Sequence, residues 1–118
     1  VIQQLAWSEE AEARMRHPAA GKCIEFLRRE VEQGIAKLWR FWDVRDEAYC
    51  ITRLDSNPDE LVVCYFEGSG MLKFGREILA ASHSQGIPVR AHTTQPAVAR
   101  LMRRAGLAHS EFVLRSTP

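Results

Sequence analysis

The sequence predicts an α+β fold in which an antiparallel meander leads into a βαβα unit within one mixed sheet. Three observations point to it. Helical spacing fills residues 7–33. Three apolar or aromatic runs at 36–44, 48–54 and 61–66 are separated by short polar turns, and from 61 to 107 strand and helix patterns alternate without a break. Short turns join antiparallel neighbours, whereas a strand reached through a helix lies parallel to its predecessor with a right-handed crossover.

A chain of 118 residues is long enough for one domain with a sizeable core, and no internal boundary is expected. No run approaches the roughly 18 apolar residues that would span a bilayer, so membrane insertion is not expected. The net charge of +1 excludes a broad electrostatic attraction to nucleic acid or anionic membrane. Cys23, Cys50 and Cys64 are widely spaced and form no CxxC pair, which points to reduced thiols in a cytoplasmic protein. His17, His83, His92 and His109 share no metal-binding spacing, so no metal is expected.

In chain order, Ser8 followed by Glu9, Glu10 and Glu12 opens a helix, because a serine cap and early carboxylates satisfy the free amides. His17 to Gly21, with Pro18, interrupts it. Cys23, Ile24, Leu27 and Val31 then recur at helical spacing, predicting a second helix that packs on the sheet and ends at Gly34 in a left-handed conformation. In the strand at 36–44, Trp39 and Phe41 share one face, and Leu38, Arg40 and Trp42 the other. Residues 43–47 and 55–59 are turns, and 61–66 is apolar enough for a strand covered on both faces.

A helix over 71–85 places Met71, Phe74, Gly75, Ile78 and Ala81 inward. A short strand at 87–91 follows, then a helix opened by Gln95 and Pro96 and stopped by Gly106, with Val98, Leu101, Met102 and Ala105 as its apolar stripe. Glu111 to Arg115 closes the sheet.

Glu67-Gly68-Ser69-Gly70, lying between an apolar strand and a helix, can hold an anion on backbone amides that have no partner inside the helix, with Lys73 or Arg76 assisting. The same residues serve equally as a polar turn. Glu67, near the end of the strand, is the candidate general base, and a solvated carboxylate is the plain alternative. His92 and Cys64 are most simply structural. Trp39, Phe41 and Trp42 suit the core, and one exposed tryptophan among them would suit a groove. Arg100, Arg103 and Arg104 form the polar side of the late helix and could meet phosphates.

The segment from Gln95 through Leu101 to Gly106 and Leu107, together with the preceding Gly86 to Thr93, resembles the late helix and fifth strand of the GNAT superfamily, the acyl-CoA-dependent N-acetyltransferases. The likeness covers roughly residues 35–115. It implies a compact GNAT-like mixed sheet that takes acetyl-CoA and passes its acetyl group to a small-molecule or peptide amine. It places the pantetheine arm between 63–66 and 89–92. On the cofactor it places Phe66, Gly68, Ser69, Gly70, Met71, Leu72, Lys73 and Arg76, with Glu67 as the base.

The family's loop pattern, Arg/Gln-x-x-Gly-x-Gly/Ala, is not cleanly matched in either registration. The stretch 95–107 also contains no tyrosine to serve as the family's usual general acid. A GNAT-like protein that has lost CoA and serves as a structural or interaction module, with an apolar patch covered by a partner or in a homodimer, is therefore the second reading. Nucleic-acid binding through the arginine helix is the third, disfavoured by the net charge.

Overall fold

The computed structural model describes residues 1–15, 24–57, 59–91, 100 and 102–104. It is a mixed α+β structure. The order is β1 (Ile2–Leu5), α1 (Glu9–Arg14), α2 (Ile24–Glu32), β2 (Ala36–Trp42), β3 (Glu47–Asp55), β4 (Glu60–Gly68), α3 (Met71–His83) and β5 (Val89–Ala91). The five strands form one sheet in the order β1-β2-β3-β4-β5. The first three pairings are antiparallel, and β4 with β5 is parallel, as the intervening helix requires. Among the described residues no helix is long and apolar enough to cross a membrane.

Several expectations change. The meander has four strands rather than three, because Ile2–Leu5 pairs with β2 at the sheet edge. That strand has only four residues, two of them glutamine, so it carries too little alternation to be read from sequence. Glu47 belongs to β3 rather than to the preceding turn, and β4 runs on through Glu67 and Gly68, which makes Gly68 a strand residue paired with Ala48. In α3 the buried side is Phe74, Ile78, Leu79 and Ser82, while Ala81 is exposed. Of the late helix, Arg100 and Met102 to Arg104 are helical. The rest of 95–106, the closing strand at 111–115, the break at 17–21, Cys23 and His92 lie outside the described residues.

Two cores flank the sheet. On one face α1 and α2 cover Ala36, Leu38, Tyr49 and Ile51 with Ala11, Met15 and Leu27, and Ile24 and Val31 pack beside them. The Ser8 hydroxyl caps α1 by accepting from the Ala11 amide at 3.1 Å. On the other face Phe74 and Ile78 of α3 pack on Phe41, Ala48 and Cys50, with ring centroids of Phe41 and Phe74 5.5 Å apart. The strands alternate as expected, with Leu38 on the first face and Phe41 on the second.

One irregularity breaks that alternation. Ile51 pairs with Tyr65 but its neighbour Thr52 pairs with Val63, so Cys64 is an extra residue in β4, a β-bulge. Leu61, Val63 and Phe66 pack toward α3, whereas Cys64 and Tyr65 both pack toward α1 and α2. The described parallel pairing lies before the bulge: Leu61, Val62 and Val63 pair with Val89, Arg90 and Ala91. From Cys64 to Gly68, β4 has no strand partner on that side among the described residues.

The closed end of this pair is held by ions. Arg53 bonds Asp55 at 2.8 Å and reaches Glu30 of α2 at 3.6 Å, while Arg90 of β5 meets Asp55 at 3.2 Å and Glu60 at 3.3 Å.

Gly34 and Gly68 have positive φ for different reasons. Gly34 follows α2 at φ +78, and a Cβ there would meet nothing within 4 Å, whereas a Cβ on Gly68 would lie 2.4 Å from the Glu47 carbonyl oxygen and 2.5 Å from Ala48 Cα. Gly34→Ala should therefore cost about 1–2 kcal/mol, the left-handed penalty alone. Gly68→Ala should cost about 3 kcal/mol or more, because β3 itself must move. Urea unfolding of the two variants measures the difference.

Candidate functional site

The bulge sets the chemistry of the open end of β4. By turning the strand one residue early, it puts Tyr65 and Glu67 on the α1/α2 face. The Tyr65 hydroxyl bonds both the Glu67 carboxylate and the Met15 carbonyl at the end of α1. Directly across from Glu67 on β3 stands Tyr49, and across from Tyr49 on β2 stands Arg40. Arg40 bonds Glu47 at 2.6 Å and lies over the Trp42 ring, 4.4 Å from its centroid. Arg14 of α1 reaches the other Glu47 oxygen at 2.8 Å. Burial works against the Glu47 charge, but Arg40 and then Arg14 outweigh it and hold the carboxyl below its usual range. This end of the face is thus a polar patch at the margin of β4, whose edge past Val63 has no strand partner among the described residues.

The other expected residues fall around the start of α3. Phe66 is in the α3-side core, its ring centroid 6.1 Å from that of Phe41. The Ser69 amide donates to the Glu47 carbonyl at 3.0 Å, and its hydroxyl accepts from the Glu47 amide at 3.1 Å. Gly70 is the N-cap of α3 at φ +73, with no side-chain cap bond. Met71 and Leu72 are half-buried in the first turn. Arg76 donates to the Arg104 carbonyl at 3.2 Å and so reaches the late helix.

Lys73 does not stand ready for a ligand. Its ammonium is clamped by Asp43 and by Asp46, the latter at 2.7 Å. A Cβ on Gly70 would meet Asp46 Cγ at 2.9 Å, so this glycine makes room for the β2–β3 turn. The Lys73 bond, followed by the Arg45 and Asp46 amides, holds the Asp43 carboxyl well below the carboxylate range. The Lys73 bond and then the Ser69 hydroxyl lower Asp46.

No protein-family model matches the chain, and no curated protein matches its sequence. Among solved structures, a crystal structure of a probable acetyltransferase superposes with a TM-score of 0.51 at 12% sequence identity, covering 100% of this chain and 97% of that one. The two share a fold. At that identity the likeness speaks for architecture, and the chemistry has to be argued from the side chains.

Sequence reading singled out Glu67 but passed over Tyr65, Arg14, Arg40 and Glu47. Tyr65 had a signal, since residues two apart in a strand share a face. The arginines had none, because their convergence on Glu47 is tertiary.

Cys50 and Cys64 are free thiols, and burial pushes both above the usual range, so neither is an activated nucleophile.

The clamp predicts a pH response. Asp43 and Asp46 titrate lower in the folded than in the unfolded chain, so their stabilisation is fully present above the unfolded value of about 4 and is lost as pH falls through the depressed folded values. Tm measured from about pH 6 down to about pH 2 should fall, and Lys73→Met should flatten part of that fall.

Proposed function

We propose that this chain is a GNAT-like N-acyltransferase that takes an acetyl group from acetyl-CoA and passes it to a small-molecule or peptide amine. The observation that carries the reading is the end of β4. Among the described residues β4 runs on from 64 to 68 beyond its pairing with β5, and Tyr65 and Glu67 stand on the adjoining face, in a fold shared with a probable acetyltransferase.

The residues fit the two halves of the cofactor unequally. An amide-bearing arm suits an unpaired strand edge, because such an edge offers alternating donors and acceptors. Residues 89–91 are hydrogen-bonded to 61–63, so the room for that arm begins at Cys64 rather than at Val63. For the pyrophosphate, the first-turn amides of α3 at Met71, Leu72 and Lys73 are the donors. Gly68 and Gly70 are accounted for by the approach of β3 and Asp46. Arg76 is the nearest basic side chain on α3 without a carboxylate clamp like that of Lys73.

When bound, the thioester supplies an acyl carbon already activated toward attack. The chain's own contribution is to remove a proton from the acceptor ammonium at the Glu67 carboxylate, which leaves the amine lone pair available. Tyr65 holds that carboxylate in place. Tyr49 and the Arg40–Glu47–Arg14 group line the same end of the face and set the polarity of the acceptor's approach.

A second reading, in which the fold has lost its cofactor and serves as an interaction module, is favoured by one observation: the clamped Lys73 sets two carboxylates beside the α3 N-terminus, where they repel phosphate.

Isothermal titration with acetyl-CoA separates the two readings, and no heat at millimolar ligand would sink the first. With binding in hand, Glu67→Gln should lower kcat by about 10²–10⁴-fold and leave acetyl-CoA affinity unchanged. Asp46→Asn should tighten acetyl-CoA binding by about 2–5-fold at low salt, an effect that fades as salt rises.

A further inference from the structure

The Tyr65 hydroxyl has one proton and two acceptor partners. Its oxygen is within hydrogen-bonding reach of the Met15 carbonyl at the end of α1 and of Glu67 Oε2 on its own strand. A carbonyl oxygen and an ionised carboxylate can only accept. With Glu67 ionised, the phenolic proton can serve one of them and must leave the other facing a lone pair. With Glu67 protonated, both contacts are satisfied in series: Glu67 donates to Tyr65 Oη, and Tyr65 donates to the Met15 carbonyl.

We propose that Tyr65 is a positioning residue that couples the protonation of Glu67 to the hold of α1 on β4. When Glu67 is ionised the phenol turns toward the carboxylate, whose charge makes it the stronger acceptor, and α1 loses its bond to the strand. When Glu67 takes a proton, the phenol swings to Met15 and ties α1 down over the same end of the sheet.

The proton that arrives at Glu67 is the one the donor loses. Tyr65 keeps its own proton throughout, moving it by rotation about the C–O bond, and no bond to carbon is made or broken. In the acyl-transfer reading the donor is the acceptor ammonium, so that part of the inference rests on the proposed function. The coupling of Glu67 to α1 does not.

The surroundings suit such a device. Met15 is fully buried at 0% exposure, so its carbonyl belongs to a residue packed in the α1-side core, where a lost bond is costly. The α1 helix has six residues and is held at its start by the Ser8 cap, which leaves its far end to be fixed by tertiary contacts such as this one. Among the described residues, the charged and titratable groups that share this end of the face are Glu10 and Arg14 from α1, Arg40 from β2, and Glu47 and Tyr49 from β3. Glu47 is already shared between the two arginines.

The test is a 13C NMR titration of protein labelled at the methionine carbonyl, with the Met15 signal assigned by its loss in Met15→Leu. Between about pH 3 and about pH 9, the range in which a carboxyl titrates, the Met15 carbonyl resonance should move in one sigmoidal step. The step should vanish in Tyr65→Phe, which removes the phenolic proton, and in Glu67→Gln, which keeps Tyr65 but cannot ionise. A flat Met15 resonance in the wild type, or a step that survives in either variant, overturns the coupling. Titrating the same sample with acetyl-CoA keeps the two ideas apart. A carbonyl step without acetyl-CoA binding removes the acyl-transfer reading and leaves the coupling standing, whereas binding without a step removes only the coupling.

Discussion

The extra residue at Cys64 is the constraint on which the rest of the site depends. Without it, the alternation begun at Leu61 and Val63 would carry Tyr65 and Glu67 toward α3 and turn Phe66 toward α1. The phenylalanine that packs beside Phe41 would be lost from the second core, and a carboxylate would be driven into it at the cost of burying a charge. One inserted residue resolves both conflicts.

That single residue also marks the limit of what could be read from the sequence. The meander, the crossover through α3, the parallel β5 and the second helix packed on the sheet were all legible, because each rests on periodicity and loop length. Glu67 was legible as a carboxylate near the end of an apolar strand. What was not legible is the face it occupies, because a bulge leaves no composition signal in Val62-Val63-Cys64-Tyr65. The same gap hid the partnership of Tyr65 with α1. The glycines of the loop have a packing account that the sequence did not show: the residue each would meet is on β3 or in the turn before it. A glycine in a sequence shows that something comes close, not what comes close.

Charge is distributed unevenly along the open strand. At the α3 end, Asp43 and Asp46 surround one ammonium, so the clamp has an excess of negative charge. Around Glu47, two arginines meet one carboxylate, with the more exposed Glu10 3.4 Å from Arg14. An anionic ligand is therefore repelled at the start of α3, while on the α1 face the charges of Arg14 and Arg40 are taken up by Glu10 and Glu47 with Glu67 nearby. The two clusters meet at β3, because Glu47 accepts both arginines on its side chain while its backbone carbonyl and amide hold Ser69. A shift of Glu47 at the arginines would be felt at the start of α3 through a single residue.

An ion network holds the opposite end of the β4–β5 pair. Arg53 and Arg90 share Asp55 and reach out to Glu30 and Glu60, which ties α2, β3, β4 and β5 together below the bulge. Above the bulge the corresponding job falls to short-range polar contacts of α1 with the sheet, Arg14 to Glu47 and Met15 to Tyr65. Partly exposed pairs of this kind are individually weak. The lower end gains its firmness from being a network that spans four elements, whereas α1, a six-residue helix tied to the sheet among the described residues by Arg14 and Met15, is the part of the upper end that a proton or a ligand has the leverage to move.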